Sequence, residues 1–345
     1  MPRQSSLLVQ SLEIAILLTI VPQVLWAQQG DEGQRRKVAK VNARAERLLA
    51  LDDAARREFR KSHPNVLPNP ARGLPKPTAI AFDWCNLNKV SDAHRQRSED
   101  CWANVATEAL ECSYLIRNGS RVSLSTQPIL DHLKLGAKDI RGFSTVAAEY
   151  LLKTGTAALR AYPYTGKPAQ PAPVQLSFRA VAWGYVAPDD GIATAKQLKE
   201  ALLRHGPLAV NVAATPKFHA YRGGLFSERP AAGEAPLTDN HVVMLVGWDD
   251  TKGRHGAWKI KNTWGAEWGE QGFMWIEYGS NQIGRRAMWV RAASTYYSVP
   301  ADRFASLVPH ANPLPRPRPR AVAKLDGVAQ LAAIQSVMSA QKTSH

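Results

Sequence analysis

The chain has 345 residues, of which 45% are hydrophobic and 21% charged, enough for one large domain or two modest ones with a sizeable core. Its net charge of +15 lies mainly in residues 28–76 and 301–345, which argues against a nucleic-acid groove in the main domain. The sequence has no zinc-type cysteine pairs, no phosphate-binding glycine-rich loop and no internal repeat. We therefore expect no metal, no cofactor and no nucleic-acid partner.

Residues 1–27 have the pattern of a signal peptide. Arg3 gives a positive start, a short apolar run covers residues 14–26, and Ala27 is a plausible cleavage residue. The run is too short to predict a stable membrane span. We expect export by a cleaved signal peptide, to a secreted or periplasmic location. The alternative is an uncleaved N-terminal anchor.

Residues 28–76 form a basic segment with a helical pattern. An apolar stripe within residues 35–61 comprises Val38, Val41, Ala45, Leu48 and Leu49, and the segment becomes proline-rich from Pro64 onward. The stripe shows only that this helix needs a partner surface. Two interpretations stay open, an inhibitory pro-segment and a linker helix.

Cys101 is the first candidate for chemistry. The apolar spacing from Trp102 to Ile116 predicts a helix, with Asp100 as an N-cap type and Gly119 as its stop. A helix N-terminus favours a thiolate, which is the nucleophilic form of cysteine. The sequence alone also permits a buried structural cysteine at this position.

Two segments far downstream supply the partners. Residues 239–248 place His241 at the start of an apolar run that predicts a buried strand. Residues 258–273 contain Asn262, followed by Thr-Trp-Gly. A cysteine with a distant histidine and asparagine is the sequence form of a thiol protease triad.

A longer pattern in residues 261–273 reads Lys-Asn-Thr-Trp-Gly, then a second Trp-Gly, then Gly-Phe. With Cys101 and His241, it makes the chain resemble the papain-like cysteine peptidases over about residues 82–289. The resemblance implies an α+β, papain-like two-lobed fold, with a helical first lobe, a β-barrel-like second lobe and the active-site cleft between them. We assign this peptidase domain to residues 77–300.

The resemblance also implies roles for single residues. Cys101 attacks the peptide carbonyl, His241 transfers the proton, Asn262 orients the imidazole, and Trp264 covers that contact at the substrate side. The oxyanion donor stays open between Arg95, at the family spacing, and Gln96, in a loop one residue shorter. We favour Gln96, because a neutral amide acts more selectively on the developing oxygen than a fixed charge does.

Substrate contacts are expected at Gly142, which stands where the family pairs with substrate backbone, and at Asp239 and Asn211, near the main side-chain pocket. A buried Asp239 carboxylate favours a basic substrate side chain, whereas a solvated one has no such effect. The family also bridges two positions that here are Ser98 and about Asp139, so we expect packing and hydrogen bonds to hold the active-site loop.

The expected function is thiol-dependent hydrolysis of protein or peptide substrates, as an endopeptidase rather than an exopeptidase. The alternative is a catalytically idle papain-like fold that binds proteins, because Glu99 and Asp100 oppose a thiolate at Cys101. Residues 301–345 are expected to form a Pro/Arg-rich tail with a short helix near its end. The sequence leaves the oligomeric state open.

Overall fold

The computed structural model describes the backbone of residues 6–62, 73–189, 191–231 and 233–294, and side chains from residue 32 onward. Its helices are α1 (Ser6–Ser62), α2 (Cys101–Asn118), α3 (Gln127–Lys134), α4 (Ser144–Lys153), α5 (Ala195–His205) and α6 (Pro216–His219). The expected tail at 301–345 lies outside this part of the chain. Within the described residues, no helix combines the length and apolarity that crossing a bilayer requires.

The strands form one mixed sheet. They are β1 (Ala81–Asp83), β2 (Ala180–Tyr185), β3 (Leu208–Val212), β4 (Leu225–Phe226), β5 (His241–Asp249), β6 (Ala257–Lys261), β7 (Phe273–Glu277) and β8 (Arg285–Ala292). Their order in the described sheet is β2-β8-β3-β5-β6-β7-β4, with β1 paired to β5 outside this order. The α+β class is confirmed. The expected barrel-like lobe is instead an open sheet, because β2 and β4 are its two ends and do not pair with each other.

Helix α2 is the central element of the helical part. Its residues from Trp102 to Asn118 are all buried, which explains why its sequence is apolar on more than one face. It packs against α4 on one side and against β5 and β8 on the other. Gly119, at φ +70°, ends it as expected. Cys101 therefore begins a helix whose position is fixed on all sides.

Helix α1 lies along the edge strand β2. The predicted stripe is its buried face, since Val38, Ala45, Leu48 and Leu49 are each at most 4% exposed. The Asn42 side chain accepts the Tyr185 N–H at 2.9 Å and donates to the Tyr185 carbonyl at 3.3 Å. Its amide thus satisfies backbone groups that β8 cannot reach.

Ion pairs fix the rest of α1. Arg44 binds both carboxylate oxygens of Glu149 on α4, at 3.1 and 2.6 Å. Further along, Asp52 lies 2.9 Å from Arg117 at the end of α2 and 3.8 Å from Arg291 on β8. All three of these side chains are at most 8% exposed. The partner surface that the stripe requires is therefore the peptidase domain itself.

Candidate active site

The half-buried Cys101 sulfur lies at the first turn of α2. Backbone N–H groups of Val242 and Trp102 face it and lower the pKa of the thiol. Burial acts in the opposite direction and is the larger effect, followed on the raising side by the charges of Asp100 and Glu99, so the pKa of Cys101 is raised to about 11. The Val242 contact brings the sulfur to the start of β5, next to His241.

His241 and Asn262 meet because β5 and β6 are antiparallel neighbours. Met244 is paired with Lys261, so the start of β5 lies opposite the residues that follow β6. His241 Nε2 lies 2.8 Å from Asn262 Oδ1, and both residues are buried. This contact occupies Nε2, so a proton exchange between the ring and another group would use Nδ1.

Trp264 covers this pair. Its indole stacks on the His241 ring, with centroids 4.6 Å apart, and also on the His219 ring, at 4.2 Å. Burial lowers the pKa of His241 to about 4; the Asn262 hydrogen bond opposes this shift, and His219 adds to it. His219 is a member of the site that sequence reasoning missed. No motif surrounds it, so only its stacking on Trp264 identifies it.

Gln96 is held directly beside the triad segment. Its backbone N–H donates to Thr263 O at 2.7 Å, and its side-chain Oε1 accepts from Thr263 Oγ1 at 2.5 Å. The amide nitrogen donates to Ser98 O at 2.7 Å, which uses one of its two N–H groups. The Arg95 side chain, in contrast, is 71% exposed and lies 3.7 Å from Glu267. Gln96 therefore packs against the residue that follows Asn262, whereas the Arg95 side chain lies near Glu267.

One pocket of about 220 Å³ has a lining without Cys101, His241 or Asn262. Its lining comprises Gln34, Phe143, Ser144, Thr145, Tyr185, Asn211 and Arg286. Asn211 and Gln34 both line this pocket, and Gln34 comes from α1, which the sequence did not suggest. Gly142 precedes Phe143, and a Cβ there would lie 2.7 Å from the Trp102 indole, so a side chain does not fit.

Asp239 has the burial that the expected basic specificity requires, but an arginine is paired with it. Its side chain is 13% exposed, so it is not solvated, yet it carries no free charge toward the pocket. Asn211 donates to Asp239 Oδ2 at 2.7 Å, and Arg285 lies 3.3 Å from Oδ1. Because Arg285 already balances the carboxylate, the expected preference for a basic substrate side chain loses its physical basis.

Known proteins resemble this chain in sequence. The papain family cysteine protease model matches residues 78–293. Cysteine proteinase 3 of Solanum lycopersicum is 30% identical over 210 residues, which cover 59% of this chain and 57% of that protein. Cathepsin K of Gallus gallus is 33% identical over 207 residues, or 59% of this chain and 60% of that protein. The chain thus spans less than two thirds of the length of these relatives.

Solved structures show the same likeness. The bromelain protease of Ananas comosus aligns with a TM-score of 0.53 and 26% identity, over 62% of this chain and 99% of that one. The digestive procathepsin L2 of Tenebrio molitor aligns with a TM-score of 0.54 and 26% identity, over 64% of this chain and 69% of that one. The family match covers more than half of the chain and agrees with the described fold. The chain belongs to the papain family of cysteine proteases.

Proposed function

We propose that the protein hydrolyses peptide bonds through Cys101, His241 and Asn262. The observation that carries the proposal is the buried 2.8 Å contact between His241 Nε2 and Asn262 Oδ1, next to a cysteine at a helix N-terminus. The contact holds the imidazole in one orientation, with Nδ1 available to the thiol. Trp264 keeps water from the contact and so strengthens it.

The proposed reaction follows from these positions. His241 takes the Cys101 proton, and the thiolate attacks the substrate carbonyl. The N–H of Cys101 and the second N–H of Gln96 stabilise the oxyanion. His241 then protonates the leaving amine, and water hydrolyses the thioester to release the acid and restore the thiol.

Burial disfavours the separate ionisation of Cys101 and of His241. Burial raises the pKa of Cys101 to about 11 and lowers that of His241 to about 4, so neither group ionises by itself near neutral pH. A proton transfer between them creates both charges together. Their attraction in a low-dielectric site, with the helix N-terminus, offsets the desolvation of the two ions.

A catalytically idle fold that binds proteins is the second candidate. The raised pKa of Cys101 and the nearby charges of Asp100 and Glu99 favour it. We rank hydrolysis first, because a binding scaffold has no need for an oriented imidazole under a tryptophan. The proposal expects that Cys101→Ala abolishes cleavage of an internally quenched peptide. Cleavage that persists in this variant would reject the triad.

The oxyanion assignment has its own test. Losing one such donor costs roughly 10²–10³ in kcat, so Gln96→Ala should show a loss of that size. Arg95→Ala is the matched control from the adjacent position and should stay within about twofold, because its exposed guanidinium lies near Glu267. The opposite ranking of the two variants would assign the donor to Arg95.

We propose endopeptidase action and export. A peptide blocked at both ends tests the first, since cleavage restricted to peptides with a free terminus would indicate an exopeptidase. Export by a cleaved signal peptide predicts that the mature chain begins at Gln28. N-terminal sequencing of the exported protein tests this, and a chain that keeps residues 1–27 would indicate an anchor instead.

We also propose that residues 28–62 of α1 are a retained part of the folded enzyme and not a removable inhibitor. Their contacts lead to β2, to Glu149 on α4 and to Arg117 at the end of α2 remote from Cys101. Their removal would leave Arg117 and Arg291 buried without Asp52. An active form that begins after residue 76 would contradict this proposal.

A further inference from the structure

The Tyr164 hydroxyl joins the middle and the end of the loop that carries the proposed oxyanion donor. We call residues 95–100 the oxyanion loop. Tyr164 Oη accepts the Arg97 N–H at 2.9 Å and donates to Asp100 Oδ2 at 2.6 Å. One phenol therefore holds the residue after Gln96 and the residue before Cys101.

A second contact lies between these two residues. Ser98 Oγ donates to Gly166 O at 2.7 Å, while Ser98 O accepts the side-chain amide of Gln96. Gly166 has φ +74°, and a Cβ there would lie 2.6 Å from Arg97 Cβ, so glycine is required for this close approach. Three residues of the oxyanion loop, Arg97, Ser98 and Asp100, are thus hydrogen-bonded to Tyr164 or Gly166.

The segment that makes these contacts is itself rigidly held. We call residues 164–167 the brace loop. Gln127, on α3 and 2% exposed, accepts the N–H groups of Thr165 and Gly166 at 2.8 and 3.2 Å. Its amide nitrogen donates to Lys167 O at 2.7 Å. A single buried side chain therefore fixes the brace loop relative to α3.

A fixed brace matters here because the oxyanion loop has no covalent constraint. Cys85, Cys101 and Cys112 are free cysteines, and Ser98 occupies the position at which the family pattern has a bridging cysteine. A donor acts on an oxyanion only within about 2.7–3.1 Å, and a displacement of about 1 Å can cost about 10² in rate. Hydrogen bonds must therefore give the loop its precision.

We propose that the brace loop positions Gln96 in place of the missing disulfide, with Tyr164 as the positioning residue. The proposal rests on the proposed function, since it acts through Gln96 as the oxyanion donor. Without the phenol oxygen, the Arg97 N–H and the buried Asp100 carboxylate lose their shared partner. The loop then relaxes, and the Gln96 amide moves away from its working position while Cys101 stays on α2.

The test uses Tyr164→Phe, with Tyr162→Phe as a matched control. Tyr162 donates to Asp131 Oδ2 at 2.6 Å and accepts the Ala172 N–H at 2.9 Å, the same two kinds of bond at the same lengths. Neither of its partners belongs to the oxyanion loop, and the bond from Gln127 to Asp131, at 2.7 Å, uses the other carboxylate oxygen, Oδ1, which Tyr162→Phe leaves in place. The two variants should therefore show similar decreases in Tm, but only Tyr164→Phe should lose catalytic activity.

For Tyr164→Phe we expect kcat to fall about 10- to 10²-fold with KM within about twofold, since ground-state contacts are unchanged. For Tyr162→Phe we expect kcat within about twofold of the parent. Alkylation of Cys101 by a small reagent forms no oxyanion, so Tyr164→Phe should leave its rate unchanged. In a Gln96→Ala background, Tyr164→Phe should lower kcat by less than about threefold further, because its target is gone.

Equal kcat losses for Tyr164→Phe and Tyr162→Phe would overturn the proposal, as would an undiminished loss in the Gln96→Ala background. Both results leave the proposed function intact, provided that Cys101→Ala is inactive. If Gln96→Ala keeps full kcat, the oxyanion assignment fails and the positioning role of Tyr164 fails with it. If Cys101→Ala remains active, the proposed function itself fails.

Discussion

Replacing Asp52 with asparagine should expose how much of the domain's stability depends on α1. The substitution keeps the shape of the side chain and removes its charge from between Arg117 and Arg291, at 2.9 and 3.8 Å. Burial and the neighbouring Arg117 already lower the pKa of Arg291 to about 10, so these cations are crowded. Breaking a buried ion pair from one side costs about 3–5 kcal/mol. Asp53 still lies 3.5 and 3.6 Å from the same guanidinium groups, so we expect the free energy of unfolding to fall by about 3 kcal/mol, the lower end of that range.

Thermal unfolding of the full chain measures this loss. A domain of this size loses about 2–4 °C per kcal/mol, so Asp52→Asn should lower Tm by about 6–12 °C. Asp53→Asn is the control, since it removes the neighbouring charge from a half-exposed position and should cost less than about 1 kcal/mol. Equal shifts in Tm for the two variants would refute the reasoning that α1 is docked through a buried Asp52.

Three further predictions concern ionisation and specificity. The Cys101 pKa of about 11 leaves a thiolate fraction on the order of 10⁻⁴ at pH 7 when no base takes the proton. His241→Ala should therefore slow alkylation of Cys101 at least ~10²-fold at pH 7, and the rate should recover as pH rises. Equal rates in parent and variant would reject the proton transfer. Burial raises the pKa of Glu149, but hydrogen bonds from Arg44 and Trp183 outweigh burial and hold the pKa below its ordinary value. The stability that Glu149→Gln removes should therefore be present at neutral pH and be lost as pH falls through the folded-state pKa. A Tm difference between parent and variant that does not depend on pH would contradict this. A substrate library should show no preference for basic side chains, and Asp239→Ala should not reduce cleavage of basic substrates selectively.

The sequence was sufficient where local pattern and chemistry coincide. The helix after Cys101 and its stop at Gly119 were predicted from spacing and from the left-handed preference of glycine, and both are confirmed. The strand that begins at His241 was predicted from its apolar run, and β5 begins at that residue. The likeness to the papain family was carried by a contiguous motif and is confirmed over residues 78–293.

What the sequence could not supply are contacts between distant segments. Asp239 was expected to be either a buried carboxylate that selects basic substrates or a solvated one, but it is paired with Arg285, which lies 46 positions further along the chain. His219 had no motif, because its role depends on stacking against Trp264. Asp100 was expected as a helix cap, yet its side chain makes no capping bond and accepts from Tyr164 instead. Each outcome depends on tertiary geometry that residue type and spacing leave undetermined.

The amide of Asn42 on Tyr185 also bears on aggregation. Where α1 is absent, the N–H and C=O groups of Tyr185 on the edge strand β2 would lose their partner and face solvent, beside apolar residues that α1 now covers. Such an edge is a template to which a strand from another polypeptide can add. Proteolytic loss of α1 would therefore do more than destabilise the domain, because each copy would have an exposed sheet edge that can pair with other chains. A helix that shields that edge favours a protein that can tolerate high concentration without precipitating.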